Sequence, residues 1–295
     1  MNKIKLLLAA GLVGIVSCSR DSEDSFAYGN FEAEEVIVSA ENTGKVLYLN
    51  LQEGMQLNTG DLVLVTDTVQ FNLKKEQLLA NIQSVNSKIL TADAQLKAIK
   101  VGIRNLEREQ IRVASLLKEG AATEKQMDDI NGQFDSQIAQ QGIIEATKST
   151  VISELSSLKV QIKQIEDQLS RCYVYSPSDG IVLGKYISKG ELAVQGRSLF
   201  KIADMINMEL RLYISGAQLG MIKPGDTVRV NIDSLDEEIK NYKGIVYWVS
   251  EQSEFTPKII QTREERINLV YQLKVRVIND GYLKIGMPAD ISLIK

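Results

Sequence analysis

The sequence predicts an elongated protein of mixed α and β structure, in which a long helical hairpin is inserted between two similar β-rich segments. Three observations support this prediction. A pattern of glycines recurs on either side of residues 71–172. Both arms of that central segment repeat apolar residues at the spacing of a coiled coil. The residues from 205 onward fall into short runs typical of β-strands.

The composition excludes several classes of function. The 295 residues include 34 basic and 38 acidic side chains, so the formal net charge is −4 and nothing suggests binding to nucleic acid. Histidine is absent, which removes the commonest general base and the commonest metal ligand. No Gly-Lys-Ser/Thr run for binding phosphate occurs either. We therefore expect no catalytic residue, no cofactor and no metal site.

The N-terminus has the features of an export signal. Two lysines precede the apolar run Leu6–Val16, which is too short to span a bilayer. The run ends in Ile-Val-Ser-Cys, which resembles a bacterial lipobox. This resemblance implies that residues 1–17 are a lipoprotein signal peptide, that Cys18 carries lipid, and that residues 18–30 form a lipid-anchored tether. The alternative is an ordinary signal peptide with an incidental cysteine.

Glycines at matching spacings mark an internal repeat. The segment that starts at Ala40 aligns with the one that starts at Ser176, and both contain Gly-x9-Gly-x5-Gly flanked by strand-like runs. The aligned residues are Gly44, Gly54 and Gly60 in the first copy and Gly180, Gly190 and Gly196 in the second. We expect these glycines to supply the positive φ angles that tight turns require.

This pair of segments resembles the two halves of a biotinyl/lipoyl carrier domain, which is a small flattened β-sandwich. The resemblance assigns residues 31–70 and 173–204 to the two halves. A true carrier has a modifiable lysine in the turn that ends its first half, whereas this chain has Asp67-Thr68-Val69 there. The difference argues against a swinging-arm function. Each half alone would expose an apolar face, so the halves must pair, and the chain must leave and re-enter the sandwich at nearly the same place.

The inserted residues 71–172 predict two long helices packed as a coiled coil. Apolar residues recur at steps of four and three, which average 3.5 residues, and a short connection requires the arms to run antiparallel. The seam residues are Leu78, Ile82, Val85, Ile89, Ala92, Leu96, Ile99, Ile103, Leu106, Val113 and Leu117, then Met127, Ile130, Phe134, Ile144, Val151, Leu155, Leu158, Ile162, Ile165 and Leu169. The remaining seam positions on the second arm are polar, at Gln137, Gln141 and Lys148. These residues either make the seam locally more hydrated or determine the register of the helices or the choice of partner. At the base, Cys172 is expected to be a small buried residue rather than a redox or metal site.

The helical pattern is interrupted once, at residues 120–123. Gly120 is expected to terminate the first helix, because glycine commonly follows a helix end. Thr123 is expected to begin the second helix as an N-cap, with Gln126 three residues later in capping-box position. The break is therefore predicted to be the tip of the hairpin.

Strand-like runs and turn signals continue through residues 205–295. Five or six short strands are present, and Pro224-Gly225 stands in a turn before one of them. These runs predict a small β-barrel. The segment Glu254–Tyr271 is a charged loop, which contacts either a partner protein or only solvent.

Split lipoyl halves around a helical hairpin, in an exported lipoprotein, resemble a periplasmic adaptor, or membrane fusion protein, of the HlyD type. Many such adaptors have an Arg-x3-Leu-x6-Ser motif at the hairpin tip. This chain has Arg112, Leu116 and Thr123 at that spacing, and threonine keeps the hydroxyl group. The resemblance implies that these residues, with Gly120 between them, dock onto a TolC-like outer-membrane duct. Each residue also has a plain structural explanation, as a surface, seam or capping residue.

The resemblance further implies an adaptor without catalysis, linking an inner-membrane transporter to an outer-membrane exit duct for efflux or secretion. The segment Glu254–Tyr271 is similar to one in adaptors paired with ABC exporters, and little chain follows it for the extra domain typical of RND-pump adaptors. An ABC transporter is therefore favoured, with RND or MFS types as alternatives. The protein is also expected to form a hexamer. Its lipid is expected to anchor it to the periplasmic face of a membrane, preferably the inner membrane. The alternative is a structural or adhesive coiled-coil lipoprotein without a transport role.

Overall fold

The computed structural model describes residues 25–232, 240–254 and 269–294 of the chain. These residues form two compact units, one containing a β-sandwich with a helical hairpin and the other a β-barrel, which confirms the predicted fold class. The elements are β1 (Ala27–Glu32), β2 (Glu35–Ser39), β3 (Gly44–Leu49), β4 (Gln56–Leu57), β5 (Leu62–Thr66), α1 (Val69–Lys118), α2 (Glu124–Ser170), β6 (Tyr173–Tyr175), β7 (Gly180–Lys185), β8 (Leu192–Ala193), β9 (Ser198–Ala203), β10 (Asn207–Ser215), a 3-10 turn (Leu219–Met221), β11 (Thr227–Ile232), β12 (Lys240–Val249), β13 (Val270–Ile278) and β14 (Pro288–Leu293).

The two halves of the sandwich interleave. One sheet has the order β2-β9-β7-β4 and the other β6-β5-β3-β8, so each sheet takes two strands from each half. Apolar side chains at the centre are almost fully buried, including Val63, Leu64, Leu199 and Phe200, each with no exposed surface. The halves therefore share one core, as the predicted pairing requires, and neither half could bury its strands alone.

The repeated glycines serve two different purposes. Four of them lie in turns with φ between 82° and 92°, as predicted: Gly54, Gly60, Gly190 and Gly196. The prediction of positive φ is wrong for Gly44 and Gly180, which are the first residues of β3 and β7. A Cβ atom on Gly180 would lie 2.5 Å from the carbonyl oxygen of Ala203. Close approach of a neighbouring strand, rather than a turn, explains glycine at this position.

The hairpin begins at Val69 and ends at Ser170, a shift of two residues at each end from the predicted 71–172. The 50 residues of α1 correspond to a helix ~75 Å long. Every buried residue of α1 belongs to the predicted seam, and every seam position predicted on α2 is half buried, including the three polar ones. The buried residues of α1 are Leu78, Val85, Ala92, Leu96, Ile99, Ile103 and Val113.

Polar contacts between the helices accompany this apolar seam. Gln137 lies over Gly102, where an added Cβ atom would be 3.1 Å from the Gln137 amide nitrogen. Lys148, at a polar seam position of α2, forms an ion pair with Asp93 of α1. These exposed pairs contribute at most ~1 kcal/mol each, so they align the helices more than they stabilise them. The cross-seam pairs are Lys75–Glu166 at 2.8 Å, Lys88–Glu154 at 3.5 Å, Asp93–Lys148 at 2.5 Å and Gln110–Asn131 at 2.8 Å.

Six strands close into the barrel in the order β1-β10-β13-β12-β11-β14. Alternate residues of β10 point inward, so that Met208, Leu210, Leu212 and Ile214 are buried while their neighbours face outward. β10 and β13 pair antiparallel from Asn207–Ile278 to Ser215–Val270. The small barrel predicted from the C-terminal strands is therefore present.

The barrel also contains a strand that the sequence analysis placed elsewhere. Residues 18–30 were expected to be a tether, and the first sandwich half was expected to start at residue 31. Instead, β1 (Ala27–Glu32) pairs antiparallel with β10 and β14 and closes the barrel. Ala27 and Phe31 are 3% and 0% exposed inside it. The sandwich strands begin only at Glu35.

We expect substitution of Gly29 in β1 by alanine to destabilise the barrel. A Cβ atom there would lie 1.8 Å from the backbone carbonyl oxygen of Arg211, so the paired strands would have to separate. Overpacking of this kind costs ~1–3 kcal/mol. Urea unfolding of the Gly29→Ala chain, compared with Asn30→Ala at an exposed position of the same strand, measures the effect. Equal stability of the two variants would contradict the close approach.

Candidate docking tip of the helical hairpin

The first helix ends in a hydrogen-bonded glycine cap. Gly120 has a φ of 74°, and its N–H donates to the carbonyl oxygen of Leu117 at 3.1 Å. The N–H of Ala121 donates to the carbonyl oxygen of Leu116 at 2.8 Å. These two bonds form a Schellman motif, which satisfies carbonyl groups that the helix end leaves free. The predicted termination of α1 at Gly120 is therefore confirmed, and a residue with a Cβ atom would be strained there.

The second helix begins with a complete capping box at Thr123. The backbone at Thr123 is extended, and its hydroxyl oxygen accepts from the N–H of Gln126 at 3.3 Å. In return, the Thr123 N–H donates to the side-chain oxygen of Gln126 at 2.8 Å. Both orphan donors are satisfied, so the predicted N-cap is confirmed. Two rigid caps thus enclose a connection of five residues, 119–123.

Arg112 projects from α1 one turn below the residues that end the helix. Its side chain is 67% exposed and forms a bidentate ion pair with Glu109 on the preceding turn. The hydrogen bond from Arg112 lowers the pKa of the Glu109 carboxyl group and raises the pKa of the guanidinium group. The pair therefore stays ionised at neutral pH. Glu109 was not among the predicted site residues, although opposite charges three residues apart on a helix are a recognisable signal.

The structure brings the predicted tip residues into one short region. Arg112 and Leu116 are four residues apart, which places them on adjacent turns of the same helix side. Leu116 is half buried, whereas Gly120 and Thr123 are exposed in the connection. The resulting surface combines one cation, one apolar side chain and exposed backbone. Such a surface suits a protein partner that offers carboxylate and apolar groups, and docking remains a prediction.

Cys172 lies at the opposite end of the hairpin and has no exposed surface. The side-chain amide of Asn42 donates to its sulfur atom at 2.8 Å. This environment agrees with the expected packing role. Among the described residues, no group of three or more His, Cys, Asp or Glu side chains is placed so that it could hold a metal ion.

Two of the sequence-based predictions lie outside the described residues. They concern the lipidation of Cys18 and most of the segment Glu254–Tyr271, of which residues 255–268 are not described. Among the described residues, neither helix contains an apolar stretch that could cross a bilayer.

Comparison with known sequences gives relatives that match the chain along its length. A UPF0194 membrane protein of Yersinia enterocolitica is 25% identical, with 100% of both chains covered. A UPF0194 membrane protein of Acidithiobacillus ferridurans is 24% identical, with 98% of this chain and 94% of that protein covered. No protein-family model matches the chain.

Solved structures of similar fold include the following two. MacA from Actinobacillus actinomycetemcomitans has a TM-score of 0.54 at 19% identity, covering 91% of this chain and 78% of its own. A MacA–MexA chimera containing the Pseudomonas aeruginosa MexA α-hairpin domain has a TM-score of 0.53 at 20% identity, covering 90% and 78%. At these identities the comparison establishes a shared fold.

The shared fold is that of MacA and of the MacA–MexA chimera. A split sandwich, an inserted hairpin and a barrel occur in this chain in the order that the sequence analysis predicted. The fold that the resemblance to HlyD-type adaptors implied is thereby confirmed, and the chain is similar in sequence to UPF0194 membrane proteins.

We expect Thr123→Ala to loosen the start of α2 while leaving the seam intact. Loss of the capping box costs ~1 kcal/mol, which corresponds to about fivefold faster local opening. Amide hydrogen exchange at Gln126 and Met127 measures this effect. Thr123→Ser keeps the hydroxyl group and is the matched control. If the alanine and serine variants exchange at the same rate, the cap does not hold the tip.

Proposed function

We propose that this chain is a periplasmic adaptor that links an inner-membrane transporter to an outer-membrane exit duct for efflux or secretion. The observation that carries the proposal is the long hairpin, which is inserted in a split lipoyl-like sandwich and ends in an exposed, doubly capped tip. The protein supplies no catalysis in this role. A rigid helical tip suits contact with another protein at a distance from the sandwich.

The proposed contact with a TolC-like duct involves Arg112, Leu116, Gly120 and Thr123. Arg112 can form charge-assisted hydrogen bonds with carboxylates of the duct, although it must share or exchange its bond to Glu109. Leu116 can bury its remaining apolar surface on docking. Gly120 and Thr123 hold the backbone of the tip in one conformation, so little entropy is lost when the tip binds.

The remaining parts of the proposal rest on the sequence. An ABC transporter is the favoured partner because the segment Glu254–Tyr271 resembles that of adaptors paired with ABC exporters. Lipid on Cys18 would anchor the protein at the periplasmic face, preferably of the inner membrane. Self-association, with six copies expected, would surround the export path.

We expect Leu116→Asp to reduce export by at least tenfold, because the substitution places a charge within the apolar part of the proposed contact. Export of the native substrate class, measured as resistance or secretion in the host, is the readout. Leu79→Asp provides the control, since Leu79 is an exposed apolar residue near the root of the same helix. Equal export by the two variants, at equal protein levels, would contradict docking through the tip.

We expect a cysteine at Ala121 to crosslink to an outer-membrane duct protein in the native host. Ala121 is exposed between the two caps and lies within reach of any protein that covers the tip. Mass spectrometry of the captured product identifies the partner. Lys159→Cys, exposed on α2 far from the tip, is the control and should not capture the duct. Crosslinks at Ala121→Cys only between copies of the chain, or none, would favour a structural lipoprotein over an adaptor.

A further inference from the structure

An open groove lies on the outer surface of the barrel, where β11, β14, β1 and β10 are neighbours. Its volume is ≈ 500 Å³, which is within the range of small-ligand sites. The register of the strands arranges its outward-facing side chains in two rows across the sheet. One row is Asn231, Asp290, Tyr28 and Tyr213, and the other is Pro288, Asn30 and Arg211. We call this site the barrel groove, and none of its residues belongs to the proposed docking tip.

Two tyrosine side chains form the aromatic part of the barrel groove. Tyr28 of β1 lies directly opposite Tyr213 of β10, which brings their Cβ atoms to within ~5 Å of each other. The two residues are 68% and 42% exposed, and neither hydroxyl group has a hydrogen-bond partner within the part of the chain that the structure describes. A tyrosine ring combines a flat apolar face with a polar hydroxyl group. The pair therefore suits a ligand that also has both apolar faces and polar groups.

Polar side chains beside the tyrosines are held in position by their neighbours. Asp290 accepts from the side-chain amide of Asn231 at 2.9 Å through one carboxylate oxygen. Arg211 forms an ion pair with Glu32 at 2.6 Å. The other carboxylate oxygen of Asp290 and the side-chain amide of Asn30 have no partner among the described residues. The barrel groove thus offers both hydrogen-bond acceptors and donors to a ligand.

The charges of the barrel groove restrict the class of ligand. Among the described residues that line it, Arg211 is the only cation, and Glu32 neutralises this charge. Asp290 adds a negative charge, so the groove does not attract phosphate or another anion. Aliphatic side chains are limited to Pro288 and Ala289, which is too little apolar surface for a lipid chain. An uncharged sugar fits these conditions, because its hydroxyl groups donate and accept hydrogen bonds and one face of its ring presents C–H groups.

We propose that the barrel groove binds an uncharged oligosaccharide. The sugar rings stack on Tyr28 and Tyr213, while their hydroxyl or acetamido groups bond to Asp290 and Asn30. An extended peptide would instead require a free strand edge, and β14, β1 and β10 are each paired on both sides. The same sugar chemistry occurs in the glycan of a cell wall and in the sugar part of a glycolipid. This inference goes beyond the proposed function and does not depend on docking at the tip.

Binding of defined trisaccharides to the full chain, purified in detergent, tests the inference directly. Isothermal titration calorimetry with N-acetylchitotriose, cellotriose and maltotriose measures Kd, and we expect at least one of them to bind at a single site. Tyr28→Ala and Tyr213→Ala should each weaken this binding roughly tenfold, because each removes a stacking surface. Tyr175→Ala is the matched control, since it removes a tyrosine that is 50% exposed on the sandwich, and it should leave Kd unchanged.

Conservative changes separate the two kinds of contact. Tyr28→Phe keeps the ring and should weaken binding at most about threefold, whereas Asn30→Ala should weaken it roughly fivefold through the loss of hydrogen bonds. Competition by cell-wall glycan strands freed of peptide, or by sugar chains released from glycolipids, would support the inference and identify the source.

The inference is overturned if none of the three trisaccharides binds. It is also overturned if Tyr28→Ala, shown by urea unfolding to be as stable as the parent chain, binds the sugar equally well. Capture of a duct by Ala121→Cys tests the proposed function separately. Failure of that capture leaves sugar binding standing, and failure of sugar binding leaves the adaptor function standing.

Discussion

The pairing of β5 with β6 is the constraint on which the hairpin depends. The chain leaves the sandwich after β5 and returns in β6, and these strands are antiparallel neighbours, with Val65 opposite Tyr173. The N–H of Thr66 also donates to the carbonyl oxygen of Cys172 at 2.9 Å. Neighbouring strands lie ~4.8 Å apart, which brings the roots of the two helices to within packing distance. The helices must therefore run antiparallel with nearly equal lengths, and they have 50 and 47 residues.

A small buried polar cluster holds this root in place. Thr66, which is 1% exposed, donates its hydroxyl hydrogen to the Asn42 side-chain oxygen at 3.1 Å, and Asn42 in turn donates to the sulfur of Cys172. The cluster connects Asn42, in the loop before β3, with Thr66 at the end of β5 and with Cys172, two residues after α2. Buried polar groups whose partners are all present specify one arrangement, because any other would leave a donor or acceptor unpaired. The direction in which the hairpin leaves the sandwich is thus set by hydrogen bonds as well as by apolar packing.

Long periodic patterns explain why most of this fold could be predicted from the sequence. The seam of α1 and α2 repeats over many heptads, and the caps at Gly120 and Thr123 depend on residues within six positions of each other. The strand β1 could not be predicted in the same way. It has six residues with glycine and asparagine among them, and its partners β10 and β14 are far away in the sequence. Its place in the barrel depends on long-range pairing, which no local pattern encodes. The role of Gly180 was missed for the same reason, because the strand that approaches it is distant in the sequence.

The candidate site shows where such patterns reach their limit. Gly120 and Thr123 followed from the caps that interrupt the helical pattern, and Arg112 and Leu116 followed from the resemblance to an adaptor motif, whereas the register between the two helices required the structure. That register depends on the length of the connection, 119–123, because one inserted residue would shift every level on α2 relative to α1. The five residues of the connection, which include Gly120 and Thr123 of the proposed docking tip, therefore also align the pairs between the helices, such as Lys75–Glu166 and Asp93–Lys148.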